Sequence, residues 1–437
     1  MIIEFFPIVA FFIFLKFRNL DSNNFWVSLT FFSLFFLASN FDDMGSGIHV
    51  YRYIHKFIGL VLIISLGFYI FKNKISIHKD NFVQLLSLFG IAILFSYFEN
   101  PTNSDFYIYL RNFVFTGLVS VAIYFLVDTR EKLFELATLI VKLGVLLSAL
   151  GLVDYFILLY KQSQNFMDLA SFVFARINTV QENPNFFGFI ILFSMLFLKI
   201  SRVKHKPIYY IMFILMIILS ASRSIILGAF VVFIIEIYSY FKNHLEVNFN
   251  KIATAFIIFL LFLFIVFSSF VKRSENMSTA RLDIASIAIN ILQENPFNGI
   301  GYGQFKTKYF LYADEDYEDT YSNEMIWSIK SHKLTLDELR KQDINLLKIQ
   351  KMTHNDLLTI ISELGFIGVL FSSIIIWQTY VRYKAIKDQL ISNLSFNLFI
   401  VLFAFSMFHN SINSPIFWFI FSIPFILERI SKLKKSP

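Results

Sequence analysis

The chain has 437 residues, of which 57% are hydrophobic and 16% charged, and its mean hydropathy is +0.63. A soluble domain carries roughly 25% charged residues, so this composition excludes an ordinary soluble fold. Cysteine is absent, which excludes disulfides, a thiol nucleophile and a thiolate-ligated metal. The net charge of +7 is typical of basic cytoplasmic loops and does not indicate a nucleic-acid partner.

Continuous apolar runs recur along the chain, and runs of about 17–25 residues predict transmembrane helices. Lipid offers no partner to backbone amides, so a chain that crosses it must pair them internally. We therefore expect an all-α, polytopic membrane helix bundle with about 12–13 transmembrane helices. The predicted spans are 2–16, 25–39, 57–71, 83–98, 108–127, 133–160, 186–200, 207–221, 223–241, 252–271, 356–380, 392–409 and 414–428. The first run has no basic flank and no cleavage site, so we expect it to be retained.

The loops between these spans alternate in charge, apart from 40–56, which is mixed. The basic loops are 16–18, 72–79, 130–132, 199–206, 242–251, 382–387 and 429–435. The weakly charged polar loops are 99–105, 162–185, 220–222 and 409–414. Because short basic loops face the cytoplasm, we predict the N-terminus outside, the C-terminus inside and the long polar segment 272–353 outside.

This topology divides the chain into N-terminal transmembrane helices at 1–271, a large extracytoplasmic loop at 272–355 and C-terminal transmembrane helices at 356–437. The loop is predicted to be partly helical, at Thr279–Gln293 and Leu334–Ile349. Its acidic run Asp314–Asp319 fits no defined calcium loop, which favours a solvated acidic face.

Arg223 lies in SASRSII, between two spans that face each other across a tight turn. One interpretation is an interfacial arginine whose head group reaches the lipid phosphates. The other is a fixed guanidinium fork at the mouth of the bundle, which suits a diphosphate. The spacing alone favours neither.

Two further arginines are also open to a structural and a ligand-binding interpretation, and for Arg176 these are contact with a lipid head group or with a ligand. Arg281 opens the predicted helix ARLDIASIAINIL, where a surface ion pair with Asp283 or Glu294 is the simpler account. Arg176 precedes NTVQENPNFFGF, a predicted turn and helix start. Asn185 in that motif is expected to be the helix N-cap.

The segment NPFNGIGYGQF, from Asn295 to Phe305, places a glycine at every second position, with Gly301 in the middle. Its spacing does not fit a dinucleotide-binding loop. Either the glycines let two elements pack closely, or they bring the backbone close to a substrate.

His354 comes directly before a span, where Thr353 or Asn355 can cap the helix. Histidine is the side chain best suited to accept a proton from a sugar hydroxyl near neutral pH, although a single interfacial histidine is more often structural. Glu363 is predicted on the opposite face of the same helix. As an intramembrane carboxylate it should face the bundle and have a partner.

Together, ARINTVQENPN, SASRS, ARLDIASIAINILQENPFNGIGYGQF and THNDLLTIISELGFIG, in this order, resemble the O-antigen ligase and polymerase superfamily of bacterial membrane glycosyltransferases. The resemblance covers about 176–368 and implies a GT-C-like bundle in the cytoplasmic (inner) membrane, with its active site facing the periplasm. It implies a polyprenyl-diphosphate-linked glycan donor, a glycan acceptor and no metal or cofactor. A chain-length regulator or a flippase is a potential protein partner.

The resemblance also implies roles for individual residues. Arg223 and Arg281 would neutralise the leaving diphosphate, and His354 would assist the acceptor hydroxyl. The further substrate-binding residues would be Arg176, Asn185, Asn295, Gly301, Asn355 and Glu363.

Four functions follow as alternatives. The polymerase, which joins lipid-linked repeat units, is favoured because diverse products match a diverse sequence. A ligase would instead transfer the glycan to lipid A-core or to protein. A transporter or flippase would show paired broken helices or inverted repeats, which the sequence lacks. A purely structural membrane protein would not need arginines and a histidine gathered on one side.

Overall fold

The structure is a computed structural model that describes residues 2–16, 22–37, 49–97, 104–163, 183–243, 274–312, 353, 355–386 and 388–433. Within these ranges every regular element is helical. The helices are α1 Ile2–Lys16, α2 Ser22–Phe36, α3 His49–Asn73, α4 Asn81–Tyr97, α5 Ser104–Leu126, α6 Arg130–Ser163, α7 Pro184–Phe197, α8 Lys206–Ser220, α9 Arg223–Asn243, α10 Ser274–Glu294, α11 Asp356–Ala385, α12 Gln389–Ser406 and α13 Pro415–Leu433. Single turns occur at Ile77–Lys79, Phe305–Lys308 and Tyr309–Tyr312.

The predicted spans coincide with these helices, apart from 252–271, which lies outside the described residues. Among the described residues, four helical stretches are long and apolar enough to cross a membrane: Ile54–Asn73, Phe106–Leu126, Arg130–Ile157 and Asp356–Ala385. Shorter apolar helices accompany them at Pro7–Lys16, Asn24–Phe36, Asn81–Tyr97, Pro184–Phe197, Lys206–Ser220 and Ile391–Ser406. The prediction of an all-α polytopic membrane protein is confirmed.

Phenylalanine fills the centre of the bundle. Phe31 of α2, Phe193 of α7 and Phe419 of α13 are fully buried. The ring of Phe31 meets that of Phe419 edge-on at 5.0 Å between centroids, and Phe193 lies 6.3 Å from Phe419. Edge-to-face pairs of this kind add to the burial energy of the rings. Other phenylalanines, such as Phe68 and Phe71 of α3, are exposed on the outer surface of the bundle, where lipid would cover them.

The short basic loops meet at one end of the bundle. Tyr124 at the end of α5 donates to Asp80 at 2.6 Å, and Arg429 of α13 donates to the carbonyl of Tyr124 at 2.6 Å. Arg130 at the start of α6 pairs with Asp388 before α12. Loops predicted from charge to share a side therefore contact one another, as we expected.

The opposite helix ends carry the weakly charged loops. Thr116 of α5 donates to the carbonyl of Asn413, in the turn between α12 and α13, at 2.9 Å. Ser96 of α4 accepts the backbone N–H of Tyr302 at 3.1 Å. We call this the polar-loop end of the bundle.

The first predicted helix of the long polar segment is confirmed, since α10 spans Ser274–Glu294. It packs beside α11 through a small separate core formed by Ile284, Ile287, Ala288, Ile291, Ile300, Phe305 and Tyr309. The predicted helix at Leu334–Ile349 and the acidic run Asp314–Asp319 lie outside the described residues.

Candidate functional site

The segment from Asn295 to Gln304, which we call the glycine loop, is hydrogen-bonded to the middle of α11. This is possible because α11 is broken at Gly365, whose backbone has φ 58° and ψ −153°. The break frees backbone groups that an intact helix would use internally. The loop takes their place through bonds from Ile300 N to Ser362 O at 2.9 Å, Gly301 N to Glu363 O at 3.1 Å, Phe366 N to Pro296 O at 2.8 Å and Ile367 N to Phe297 O at 3.2 Å.

Two glycines make this approach possible. A Cβ on Gly299 would lie 2.4 Å from the carbonyl carbon of Glu363, and a Cβ on Gly365 would lie 2.6 Å from the nitrogen of Gly299. Both residues also have a positive φ that favours glycine. Of the two interpretations of the glycine-rich segment, close packing of two elements is therefore what the structure shows.

Glu363 fixes the end of the same loop. Its side chain is buried, with one carboxylate oxygen accepting from Gly303 N at 2.8 Å and the other from Phe305 N at 3.0 Å. The expectation that this intramembrane carboxylate faces the bundle and has a partner is confirmed. Because α10 leads into the glycine loop, the carboxylate ties the helix that carries Arg281 to α11.

The start of α11 is held by the turn between α12 and α13. Asn355 is the N-cap and accepts from Leu358 N at 3.1 Å, as one of the two predicted caps. The buried carboxylate of Asp356 accepts from the backbone N–H groups of Ser411 at 2.8 Å and Ile412 at 3.1 Å. These bonds fix the position of the first turn of α11 against the bundle.

Thr353 joins the same turn from the other side of His354. Its hydroxyl donates to Asn410 Oδ1 at 3.1 Å, and the side chain is buried. His354 itself lies outside the described residues, but its chain neighbours on both sides are anchored to the α12–α13 turn. Asn355 contributes through Nδ2, which donates to the carbonyl of Met407 at 2.9 Å.

The SASRS turn also contacts the turn between α12 and α13. Ala221 adopts a left-handed conformation between α8 and α9, and half-buried Arg223 is the first residue of α9. The tight turn predicted here is confirmed. Ser224 Oγ lies 3.2 Å from Nε2 of His409, whose ring is tilted by 31° against that of Phe405, with 4.5 Å between the ring centroids.

A cavity lies between the glycine loop and the α12–α13 turn. The space between protein atoms here amounts to about 490 Å³, a volume that includes open solvent. Its lining residues are Tyr109, Tyr302, Phe305, Lys306, Thr353, Thr359, Glu363, Asn410, Ile412 and Asn413. The cavity thus combines aromatic rings, amides, hydroxyls and one pair of opposite charges, next to the segment that contains His354.

Burial shifts the pKa of ionisable groups in the glycine loop and the turns after it, among them Tyr302 and Lys308. It raises the pKa of Tyr302 well above its ordinary value, and the nearby Glu363 carboxylate raises it further. Tyr302 therefore stays neutral and can donate to Asn413 Oδ1, which lies 2.7 Å away. Burial also lowers the pKa of Lys308 to about 8.

The structure places the remaining predicted site residues as follows. Arg281 lies in α10, but its side chain is not among those described, and Arg176 lies outside the described residues. Asn295 directly follows α10 and donates to the hydroxyl of Tyr312 at 3.2 Å. Gly301 lies in the glycine loop, on the backbone of α11.

The expectation for Asn185 was wrong. The N-cap of α7 is Asn183, whose side chain accepts from Asn185 N at 2.9 Å, with Pro184 as the first helical residue. Proline suits that position because its missing N–H would be unpaired there anyway, and this moves the cap two residues earlier.

Sequence reasoning missed the polar residues around the cavity, chiefly Tyr302, Lys306, Asn410 and Asn413. The segment FHNSINS, from Phe408 to Ser414, carried a usable signal, because it concentrates amides and hydroxyls between two apolar spans. Lys306 gave no signal of this kind, since one lysine in a long polar segment is unremarkable in sequence.

The fold and the site define a polytopic helical membrane protein with a polar, partly enclosed site at one end of the bundle. A family model described as O-Antigen ligase matches residues 208–372. This match agrees with the resemblance to the O-antigen ligase and polymerase superfamily that the motifs show over the same part of the chain. It includes Arg223, Arg281 and His354 and begins after Arg176 and Asn185. No curated protein and no solved structure matches the chain.

Proposed function

We propose that this protein is a membrane glycosyltransferase that polymerises polyprenyl-diphosphate-linked repeat units into a surface polysaccharide. The supporting observation is that Ser224 and Thr353 contact adjacent residues of one turn, His409 and Asn410. Ser224 follows Arg223 directly, and Thr353 precedes His354 directly. Two segments that are remote in sequence thus contact the same turn at the polar-loop end.

In the reaction that we propose, a hydroxyl oxygen of the acceptor sugar attacks the anomeric carbon of the donor. The bond from that carbon to the diphosphate oxygen breaks, and the diphosphate leaves with the electron pair. The guanidinium groups of Arg223 and Arg281 hold the diphosphate, since two converging cations stabilise the charge that develops there. His354 accepts the proton of the attacking hydroxyl.

Other residues of the site serve this reaction by binding or positioning. Asn355 and Glu363 keep the start of α11 and the glycine loop in place, and Asn295 and Gly301 belong to that loop. Arg176 and Asn185, on the segment before α7, are further candidates for contact with the diphosphate or the glycan. The two arginines and the histidine supply the required charge and base without a metal.

The orientation follows from charge. The end of the bundle where the basic loops meet would face the cytoplasm, which puts the polar-loop end at the outer face of the cytoplasmic membrane. A lipid-linked donor that has been moved across the membrane would be presented at this face. A chain-length regulator or a flippase would be a protein partner in such an arrangement.

A ligase that passes finished glycan to lipid A-core or to protein is the alternative, and the description of the matching family favours it. The two activities leave different products in a deletion strain. Without a polymerase, the cell carries a single repeat unit on its surface lipid. Without a ligase, long polymer accumulates on the polyprenyl carrier, and this second outcome would overturn the polymerase assignment.

A further inference from the structure

The cavity beside the His354 segment presents amide donors that the protein does not use. The hydroxyl of Tyr302 occupies the side-chain oxygen of Asn413, and the hydroxyl of Thr353 occupies that of Asn410. Because its oxygen is occupied, each amide is oriented so that its NH2 group is available to a ligand. Across the described ranges, neither Nδ2 atom donates to a protein acceptor.

Lys306 adds a third donor. Only 8% of the surface of this residue is exposed, and it lines the cavity. Its Nζ lies 5.1 Å from the ring centroid of Tyr109, a cation–π distance, and it interacts electrostatically with Glu363. In the part of the chain that is described, no residue accepts a hydrogen bond from Nζ. The ammonium group has three N–H donors, so a ligand that supplies oxygen atoms can pair with it in the cavity.

The charge balance of the cavity selects the type of ligand. Lys306 and Glu363 offset each other, so the cavity offers hydrogen-bond donors with little net positive charge. A diphosphate needs excess positive charge, which the arginines provide elsewhere in the proposed site. Each oxygen of Glu363 receives one backbone N–H and has capacity for a further hydrogen bond. Donors and an acceptor together suit the hydroxyl groups of a neutral sugar.

The apolar lining supports the same ligand. Tyr109 and Tyr302 meet edge-on at 5.9 Å, and Phe305 lines the cavity beside them. Sugars present C–H faces between their hydroxyl groups, and aromatic rings cover such faces without competing for hydrogen bonds. The ring of Tyr302 is held in place by its hydrogen bond to Asn413.

We propose that this cavity is a subsite for the terminal sugar of the acceptor glycan, bound through Lys306, Asn410 and Asn413. The inference rests on the proposed function, because it takes the acceptor to be a glycan. It adds a location and a set of donor residues for that acceptor. The sugar would lie next to the segment that carries His354, where its hydroxyl can be deprotonated.

The test is a binding titration on the purified full-length protein in detergent. One ligand is the repeat-unit oligosaccharide released from the cell's own polysaccharide, without lipid. The other is undecaprenyl diphosphate, without sugar. We expect Lys306→Met to weaken oligosaccharide binding roughly tenfold or more, the cost of a hydrogen bond from a charged donor, and to leave undecaprenyl diphosphate binding unchanged. Asn410→Ala should also weaken oligosaccharide binding and leave undecaprenyl diphosphate binding unchanged. This variant tests the subsite if Lys306→Met does not fold.

The matched control is Lys308→Met, which removes a lysine from the same helical turn but not from the cavity lining. It should bind both ligands as the wild type does. The subsite is overturned if the Lys306→Met protein binds oligosaccharide normally, or if it loses undecaprenyl diphosphate instead. Either of these binding results would overturn the subsite alone if the wild-type protein still polymerises lipid-linked repeat units. If the wild-type protein has no transferase activity, the proposed function fails with it.

Discussion

The carboxylate of Glu363 accepts a hydrogen bond from the backbone nitrogen of Gly303 at 2.8 Å, across 60 positions of sequence. A second bond, from Phe305 N at 3.0 Å, occupies its other oxygen. Through this one side chain, the loop that follows the Arg281 helix is fixed to the helix that follows His354. The relative position of two proposed reactive groups therefore depends on a residue that need not touch the substrate.

We expect Glu363→Gln to damage the site although the side chain keeps its size. An amide has only one oxygen, so its NH2 group must face either Gly303 N or Phe305 N, and a buried donor is left unpaired. That costs roughly 1–3 kcal/mol. Thermal unfolding in detergent should show the loss, and the transferase rate should fall with it. An unchanged melting temperature and rate would show that the two bonds are dispensable.

Alanine at Gly299 or Gly365 should destabilise the protein more strongly. The added Cβ would lie within 2.4 Å of Glu363 in the first case and 2.6 Å of Gly299 in the second. A positive φ adds about 1–3 kcal/mol for a residue with a side chain. Folded yield and thermal unfolding measure the effect.

Gly67 supplies the matched control for these two variants. It lies within α3, and an added Cβ there would meet nothing within 4 Å. Gly67→Ala should therefore leave stability unchanged or raise it by about 0.5–1 kcal/mol, because glycine is a poor helix former. Equal losses at all three glycines would contradict the close-approach explanation.

Much of the fold follows from hydropathy alone, since long apolar runs have few alternatives to helices in lipid. Charge in short loops also predicted which helix ends share a side, as the contacts among Asp80, Tyr124 and Arg429 show. The break at Gly365 could not be predicted in this way. It depends on backbone groups of the glycine loop, which are remote in sequence and leave no periodic signal.

The site was predictable only in part. Arg223 and His354 drew attention because charge and histidine are rare beside spans, and their chain neighbours Ser224 and Thr353 both contact the α12–α13 turn. The donors of Asn410 and Asn413 were missed because an amide beside a span is common, and only three-dimensional contacts show which of its atoms are occupied. The N-cap at Asn183 was missed because Asn-Pro-Asn offers two caps, and the preference of proline for the first turn decides between them.

The orientation of the protein in the membrane can be tested by introducing single cysteines, because the native chain has none. Glu294→Cys places an exposed thiol at the end of α10, and Lys204→Cys places one in an exposed basic loop. In cells with a permeabilised outer membrane, a membrane-impermeant maleimide should label the first protein and spare the second until the cells are lysed. The reverse pattern would put the site in the cytoplasm and end the proposal.

His354→Ala should slow chain formation by about 10²–10⁴-fold, the usual contribution of a general base. Binding of the lipid-linked donor should be unaffected, since the diphosphate is assigned to the arginines. His78→Ala, which changes an exposed histidine at the basic end of the bundle, is the control. Normal initial rates in the His354→Ala protein would remove the base from the mechanism.

The central claim is that arginines at the polar-loop end hold a diphosphate while a sugar is transferred from it. The most direct measurement incubates purified protein with lipid-linked repeat units in the presence of a chelator and separates the products by length. The wild-type protein and Lys204→Ala should give a ladder. Arg223→Ala should give none, and Arg223→Lys a weak one, because lysine lacks the guanidinium fork. A wild-type protein without a ladder, or an Arg223→Ala protein with a full one, would contradict the account.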